Sequence, residues 1–329
     1  MMIAFFILLW LTAAGALKSS PLPEEDKSTA AGALKSSPLP EEDKRPLQQW
    51  SAVMSHDAAT GEMDQDRDGI IQGVEDAYTI TQSSPLVKQL ECGARALDYR
   101  PFLLNDGTIV AHHGSHVVKK PLADSLADIT SFLQPTQELV LLYLSHFSGE
   151  TSGCKSTKEE NCQETKEAVV KLLQSRNIPF VQNCDDLVGL TVQAAYSKGK
   201  LFAVLDCIEE QYDPSITCYG LDYTCYGRNQ DKAWSKLEAY MDKLSAVVNP
   251  ATNPFLRMLQ AHWQSSTESV PLGLAHGSSV LKDEQKAGVN IWLAEQIKAK
   301  RFVEGLNLIE LDNVCDNGPA VFAAMQQPN

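Results

Sequence analysis

Positive charge is scarce in this chain. Among 329 residues, 28 Lys and Arg stand against 42 Asp and Glu, a formal net charge of −14. A surface of that sign repels phosphate backbones, which excludes nonspecific nucleic-acid binding, and it gives little general attraction to an anionic membrane. No Cys precedes Cys92, and the eight that exist show no paired CxxC spacing, which argues against a zinc site. An even count fits disulfides instead. No hydrophobic tail closes the chain, so a lipid anchor of the GPI type is not expected. Glycine and proline are too few for collagen, and no heptad or low-complexity bias marks a coiled coil or wholesale disorder. What remains, at 43% hydrophobic residues, is enough to build one large core or at most two modest domains.

The one long apolar run, Ile3–Ala14 (IAFFILLWLTAA), is short for a membrane span but suits the hydrophobic region of a signal peptide, although no Lys or Arg precedes it. Ala14-Gly15-Ala16 supplies the small residues for cleavage after Ala16. Residues 1–16 are therefore expected to be a signal peptide, and the mature protein to be secreted and extracellular, without a transmembrane segment. Thr12–Lys27 recurs unchanged as Thr29–Lys44. Two copies do not make a solenoid, and their Pro-, Ser- and acid-rich composition predicts that 17–46 is a disordered, duplicated linker. The folded body is then 47–329, a length close to that of a single β/α barrel.

Through that body, short apolar runs alternate with longer amphipathic ones. Ala94–Arg100, Thr108–His112, Glu138–Ser145, Lys200–Asp206 and Asn307–Asp312 read as strands. Leu139–Leu144 is apolar throughout, as a parallel strand covered on both faces should be. Leu122–Leu133, Lys158–Leu173, Asp231–Val247 and Asp283–Ile297 carry helical spacing. The alternation predicts an α/β fold, a TIM-type (β/α) barrel in a single domain. Polar residues gather where strands end, at Arg100, His112-His113, Asp206 and Asp312, and the C-terminal strand ends form the active face of a barrel.

Two segments carry a more specific signal. Trp50–Thr60 (WSAVMSHDAAT) places His56-Asp57 after an apolar run, and Gln89–Gly114 reads QLECGARALDYRPFLLNDGTIVAHHG. In order, these give a His-Asp pair, Gln-Leu, a spacer, Gly-x-Arg-x-hydrophobic-Asp-x-Arg, and His-His-Gly. The pattern resembles the X-domain of phosphatidylinositol-specific phospholipases C. It is most similar to the bacterial and secreted eukaryotic phospholipase-C-like phosphodiesterases, and the likeness runs from about Gln48 to Cys315.

The residue types fit the chemistry. A phosphodiester presents negative oxygens and a poor alkoxide leaving group, and two imidazoles answer this as base and acid near neutral pH. The resemblance implies His56 as general base and His113 as general acid, with Asp312 orienting His56 and Asp57 orienting His113. It further implies Arg100 on the phosphate, supported by Asp98. Taken alone, Asp98 and Arg100 at i and i+2 read equally as an ion pair facing a barrel interior. His112 falls on the other strand face and reads as packing; His116, His146, His262 and His276 match no family role.

Calcium-dependent relatives carry acidic ligands where this chain has Arg100 and Ser145, so catalysis is expected to need no cofactor. A separate stretch, Asp64–Glu75, fits a calcium-loop pattern at Asp64, Asp66, Asp68, Gly69 and Glu75. It reads either as a structural Ca²⁺ site or as an acidic surface turn. The bacterial inositol-specific enzymes place basic residues where this chain has Ser145 and Asp206. These two are candidate substrate-binding positions, and the reversed charge predicts poor use of polyphosphorylated head groups. Local spacing predicts disulfides Cys154–Cys162 and Cys218–Cys225. The long Cys207–Arg228 loop, rich in Tyr, reads as a substrate- or lipid-facing segment or as a stapled structural loop.

The leading expectation is thus a secreted phosphoric diester hydrolase or lyase, phospholipase C-like. It would act by His/His acid–base catalysis on a phospholipid or other phosphodiester, with transient membrane-surface contact and no nucleic acid. The alternatives are a catalytically silent secreted binding protein on the same barrel, and a metal-dependent enzyme of the sphingomyelinase D or glycerophosphodiesterase kind, against which Arg100 argues.

Overall fold

Parallel strands covered on both faces need apolar residues at every position, and the core strands of this chain supply them. In the computed structural model, which describes residues 43–63, 77–154, 161–211, 238–239, 241–243, 246–262, 269–300 and 305–326, twelve strands form two sheets. The strands are β1 (Ala52–Ser55), β2 (Ala96–Tyr99), β3 (Pro101–Leu103), β4 (Ile109–His113), β5 (His116–Val118), β6 (Val140–Leu144), β7 (Ser148–Gly149), β8 (Phe180–Val181), β9 (Leu201–Leu205), β10 (Ile208–Gln211), β11 (Leu256–Gln260) and β12 (Leu308–Leu311). The helices are α1 (Leu86–Glu91), α2 (Leu122–Leu133), α3 (Gln163–Ser175), α4 (Val192–Lys198), α5 (Ser269–Ala275), α6 (Val280–Ala287), α7 (Val289–Lys300) and α8 (Gly318–Met325).

The main sheet has eight strands, in the order β10-β11-β12-β1-β2-β6-β9-β8, and every pairing in it is parallel. It curls into a TIM-type barrel in a single domain whose two outermost strands, β10 and β8, are not joined by a ladder among the described residues. Side chains alternate across it. Val53, Leu97, Leu142, Leu205 and Ile309 pack outward against Leu126, Ile129, Val169 and Leu173 of the helices. Met54, Ala96, Tyr143, Val204, Met258 and Leu308 pack together on the inner face. Helix α2 shows why its span is helical: Leu122, Leu126, Ile129 and Leu133 are buried at spacings of three and four.

A second, four-stranded sheet in the order β5-β4-β3-β7 stands at the C-terminal end of β2. The strand expected at Thr108–His112 is β4 of this sheet, not a barrel strand. Arg100 leads straight from β2 into β3, and β4 returns antiparallel with Ala111 opposite Pro101. That register, with the His112 amide donating to the Arg100 carbonyl at 3.0 Å, carries His113 back over the end of β2.

Three sequence expectations are corrected in detail. The helix expected over 283–297 is two helices, because Gly288 at φ 67° forms a left-handed cap between α6 and α7. The helix expected from Lys158 begins at Gln163, since Cys162 is its extended cap. Asp43–Pro46, assigned by composition to the linker, lie against the start of α4: the Val192 amide donates to the Arg45 carbonyl and Pro46 bridges Thr191. Of the helix expected over 231–247, only 238–239 and 241–243 are described as helical. The leader, the duplicated linker up to 42, the Asp64–Glu75 loop and the Cys218–Cys225 pair lie outside the described residues. Among the described residues no helix is long and apolar enough to cross a membrane.

Candidate active site

The inner-face alternation continues past the ends of the strands. One step of two from inner Met54 is His56; from Ala96 it is Asp98 and then Arg100; from Leu308, Glu310 and then Asp312; from Tyr143, Ser145; from Val204, Asp206. The same period that fills the barrel with apolar side chains therefore aims its last members at one mouth. Four residues just past strand ends, Asp57, His146, Asp206 and Asn313, adopt left-handed backbone, with φ between 47° and 54° for three and 41° for Asp57. Strain of this kind concentrates where a rigid scaffold turns sharply to present side chains.

His56 sits at the centre and is buried. Its Nδ1–H donates to Asp312 Oδ1 at 2.7 Å, which fixes the tautomer and leaves the Nε2 lone pair to face Arg100 Nη2 at 3.3 Å. Burial pushes the His56 pKa well below its ordinary value, aided by charge on His262, Arg100 and His113 and only partly opposed by Asp57. The ring is thus held neutral near pH 7. Asp312, almost fully buried, is pushed up to about 6 by burial, with neighbouring positive groups working the other way.

Asp57 is the hub. Its Oδ1 lies 2.7 Å from Arg100 Nε, and its Oδ2 lies 3.2 Å from His56 Nε2 and 3.4 Å from His113 Nε2. Burial alone would raise its pKa, but Arg100, then His113, His56 and His146, outweigh that and hold it below the usual carboxylate range. Asp98 Oδ2 accepts from the Asp57 amide at 3.1 Å and pairs with Arg100 Nη2 at 3.1 Å. His113 Nδ1–H donates to the Thr79 carbonyl at 2.7 Å, leaving Nε2 turned toward Asp57. The His56 and His113 rings are 6.3 Å apart at 64°, and His113 is the more exposed. Two imidazoles, one buried and one open, thus face a single carboxylate beside a guanidinium. Asp57 contacts both rings, where the resemblance gave it to His113 alone.

Other motif residues turn out to be scaffold. Gln89 accepts from the Ser55 hydroxyl at 2.5 Å and donates to the carbonyls of Ala58 and Ser84. Gly93, at φ 101°, lets Phe322 of α8 approach so closely that a Cβ would come within 2.7 Å of it. Arg95 is buried against Glu138 at 2.6 Å. Sequence reasoning gave no role to Gln82, which donates to the carbonyls of both His56 and Leu311. Nor did it find Asn290, which donates to the Asp312 carbonyl at 3.0 Å, or His262, stacked on His56. Disulfide Cys92–Cys315 ties α1 to the loop that follows Asp312. Cys154–Cys162 forms as spacing predicts, whereas Cys207 pairs with Cys184 across 23 positions. Long-range pairs leave no spacing signal.

The two candidate head-group positions differ. Ser145 is buried and bonds through its hydroxyl to His146 Nδ1 at 2.8 Å. Asp206 is partly exposed and paired with Lys166 Nζ of α3 at 2.7 Å. A cation therefore stands where the strand sequence alone offered only an anion, and the repulsion argument against phosphorylated head groups loses its charge. His112 is buried, as expected of packing, with Nε2 2.7 Å from the His146 carbonyl.

Among the described residues, two buried side-chain groups could in principle hold a metal. At His56, Asp57 and Asp98, the Arg100 guanidinium already contacts all three. At His56, His262 and Glu310, the two rings lie parallel within 16° at 4.1 Å, so their lone pairs run side by side rather than converge. Neither donor set suits an ion.

No family model matches the chain, and no curated protein sequence matches it. Solved structures do. A mutant of the phosphatidylinositol-specific phospholipase C from Staphylococcus aureus aligns with a TM-score of 0.60 at 16% identity, covering 86% of this chain and 95% of that one. The phosphatidylinositol-specific phospholipase C from Listeria monocytogenes aligns at 0.54 and 14% identity, covering 85% of this chain and 94% of its own. These likenesses establish a shared barrel fold.

Proposed function

We propose that this protein is a phosphodiesterase of the phosphatidylinositol-specific phospholipase C kind. It cleaves a lipid-type phosphodiester through His56 and His113 without a catalytic metal. The observation that carries the reading is the convergence of both imidazoles and Arg100 on Asp57, with each ring's far nitrogen committed to its own acceptor. His56 Nε2 removes the proton of a substrate hydroxyl on the carbon neighbouring the phosphate ester, and that oxygen attacks phosphorus. His113 Nε2 gives a proton to the departing alkoxide, so the P–O bond breaks as the new one forms and a cyclic phosphodiester results. Water then opens the ring with the two roles exchanged. Asp312 stabilises the imidazolium formed on His56, and Arg100 supplies the fixed charge facing the phosphoryl oxygens.

The barrel fold shared with two bacterial phospholipases C supports the substrate class. Three disulfides among the described residues support an oxidising destination, in keeping with export and with transient contact at a lipid surface. The test is to incubate purified protein with phosphatidylinositol, a lysophospholipid and a glycosylated inositol lipid, with and without chelator, and to follow phosphorus NMR. A cyclic phosphate formed equally with and without chelator is expected. Binding without turnover of any of the three would instead identify a silent lipid-binding barrel.

A further inference from the structure

Beneath His56 lies a second buried imidazole that the proposed chemistry does not use. His262 follows β11, and one step of two inward from Gln260 brings it under the His56 ring, with centroids 4.1 Å apart and planes within 16° of parallel. Its Nε2 meets Glu310 Oε2 at 3.2 Å, and its Nδ1 lies 3.9 Å from Asp312 Oδ2. The two carboxylates sit two apart on the inner face at β12: the lower serves His262, and the upper serves His56. Register fixes this, since Gln260 pairs with Glu310 and the Ala261 amide donates to the Glu310 carbonyl at 2.9 Å. All four side chains are buried.

We infer that His262 is a positioning residue for His56: clamped by Glu310 and stacked on the catalytic ring, it fixes that ring's plane and keeps it in the neutral, proton-accepting form. Two positive charges on stacked rings at this distance repel strongly in a buried site. Glu310 holds the lower ring in place, and any charge on that ring opposes charge on the upper one. Asp312 and Asp57 favour charge on His56, whereas Arg100 and His113 oppose it, with Asp98 bound to Arg100 and His146 beside Asp57. Among the described residues, His262 is the one neighbour that opposes charge on His56 while also packing flat against it.

The inference rests on the catalytic role proposed for His56, so its test uses a readout that does not need turnover. In protein carrying ¹³C-labelled histidine, the titration of His56 is followed by NMR in the unaltered protein, His262→Phe, His262→Gln and Glu310→Gln. His262→Phe keeps a flat ring and removes the ionisable nitrogens. The His56 midpoint should rise by about one pH unit or more, a tenfold gain in proton affinity, with a smaller rise in Glu310→Gln. Where activity is present, the acid limb of kcat/KM should move up with it, while activity well above the midpoint falls less than tenfold. An unchanged His56 midpoint in both His262→Phe and His262→Gln overturns the inference. His262→Gln keeps the test valid if the larger ring does not fold. If no phosphodiester is turned over, the function proposed above fails while the titration still decides this one.

Discussion

Replacing Asp312 with Asn separates catalysis from stability at one atom. In the native protein, Asp312 Oδ1 accepts from His56 Nδ1 at 2.7 Å, and the carboxyl is 1% exposed. In the proposed mechanism His56 takes a proton from the substrate, and the new imidazolium faces this carboxylate. At ~3–4 Å and an effective dielectric constant near 20, a unit charge there is worth ~4–5 kcal/mol. The amide keeps the hydrogen bond and Asp57 keeps part of the field, leaving a loss of about 3–4 kcal/mol, or ~10²–10³ in kcat/KM. Stability moves the other way. The folded pKa of Asp312 is pushed up to about 6, above the ~3.9 of an unfolded Asp. Between those values the folded state binds more protons than the unfolded one, so native stability falls as pH rises through the window and stays lowered above it. The amide of Asp312→Asn has no charge to bury. At pH 7 the variant should gain ~1–3 kcal/mol in urea denaturation, and the difference should vanish below about pH 4. A variant retaining more than a tenth of native kcat/KM, or one less stable at pH 7, would refute the reasoning.

Four further outcomes follow from the same geometry. His56→Ala and His113→Ala should each lower turnover at least ~10²-fold with unchanged circular dichroism, and full activity in either would remove the two-histidine mechanism. Arg100→Ala should lower kcat/KM by ~10²–10³; inactivation of native protein by chelator, reversed by Ca²⁺ without refolding, would show that a metal does the work assigned to Arg100. Gly93→Ala must fit a Cβ within 2.7 Å of Phe322 at φ 101°, and should be destabilised by ~2–4 kcal/mol, read as a lowered Tm with site chemistry intact. Cys92→Ser/Cys315→Ser opens a bridge across 223 positions, worth ~5–6 kcal/mol in the chain-entropy model; an unchanged denaturation midpoint would mean that the loop is held by its other contacts alone.

The barrel was legible because its strands are apolar on both faces: Leu139–Leu144 can be read as buried without any structure. The six residues assigned to the site by motif do come together: His56, Asp98, Arg100 and Asp312 share an inward parity, Asp57 follows His56, and the side sheet returns His113 to Asp57. What stayed hidden depends on register between distant strands. Nothing in AHWQS says that His262 lies beneath His56, because that follows from pairing Gln260 with Glu310 across 50 positions. Lys166 reaches Asp206 from a helix, so a search confined to strand ends could not find it. His113 looked like a barrel residue and arrives on a side sheet, because antiparallel return strands carry the same local alternation as parallel ones. The same blindness applies to Cys92–Cys315 and Cys184–Cys207, whose partners are neighbours only in space.

The Cys92–Cys315 bridge also makes the chain topologically closed. β1 and β12 are adjacent in the sheet, and Asp312 lies only three positions before Cys315, so the tether sits beside the seam where the two ends of the barrel sequence meet. A protease that cuts an exposed turn inside the ring, such as the one at Asp106-Gly107, leaves two pieces that remain one molecule until the bridge is reduced. The halves of the site, His56 before the ring and Asp312 within its last turn, would stay within reach of each other through such a cut. In the protease-rich surroundings that the proposed export implies, this chain can be nicked without being divided.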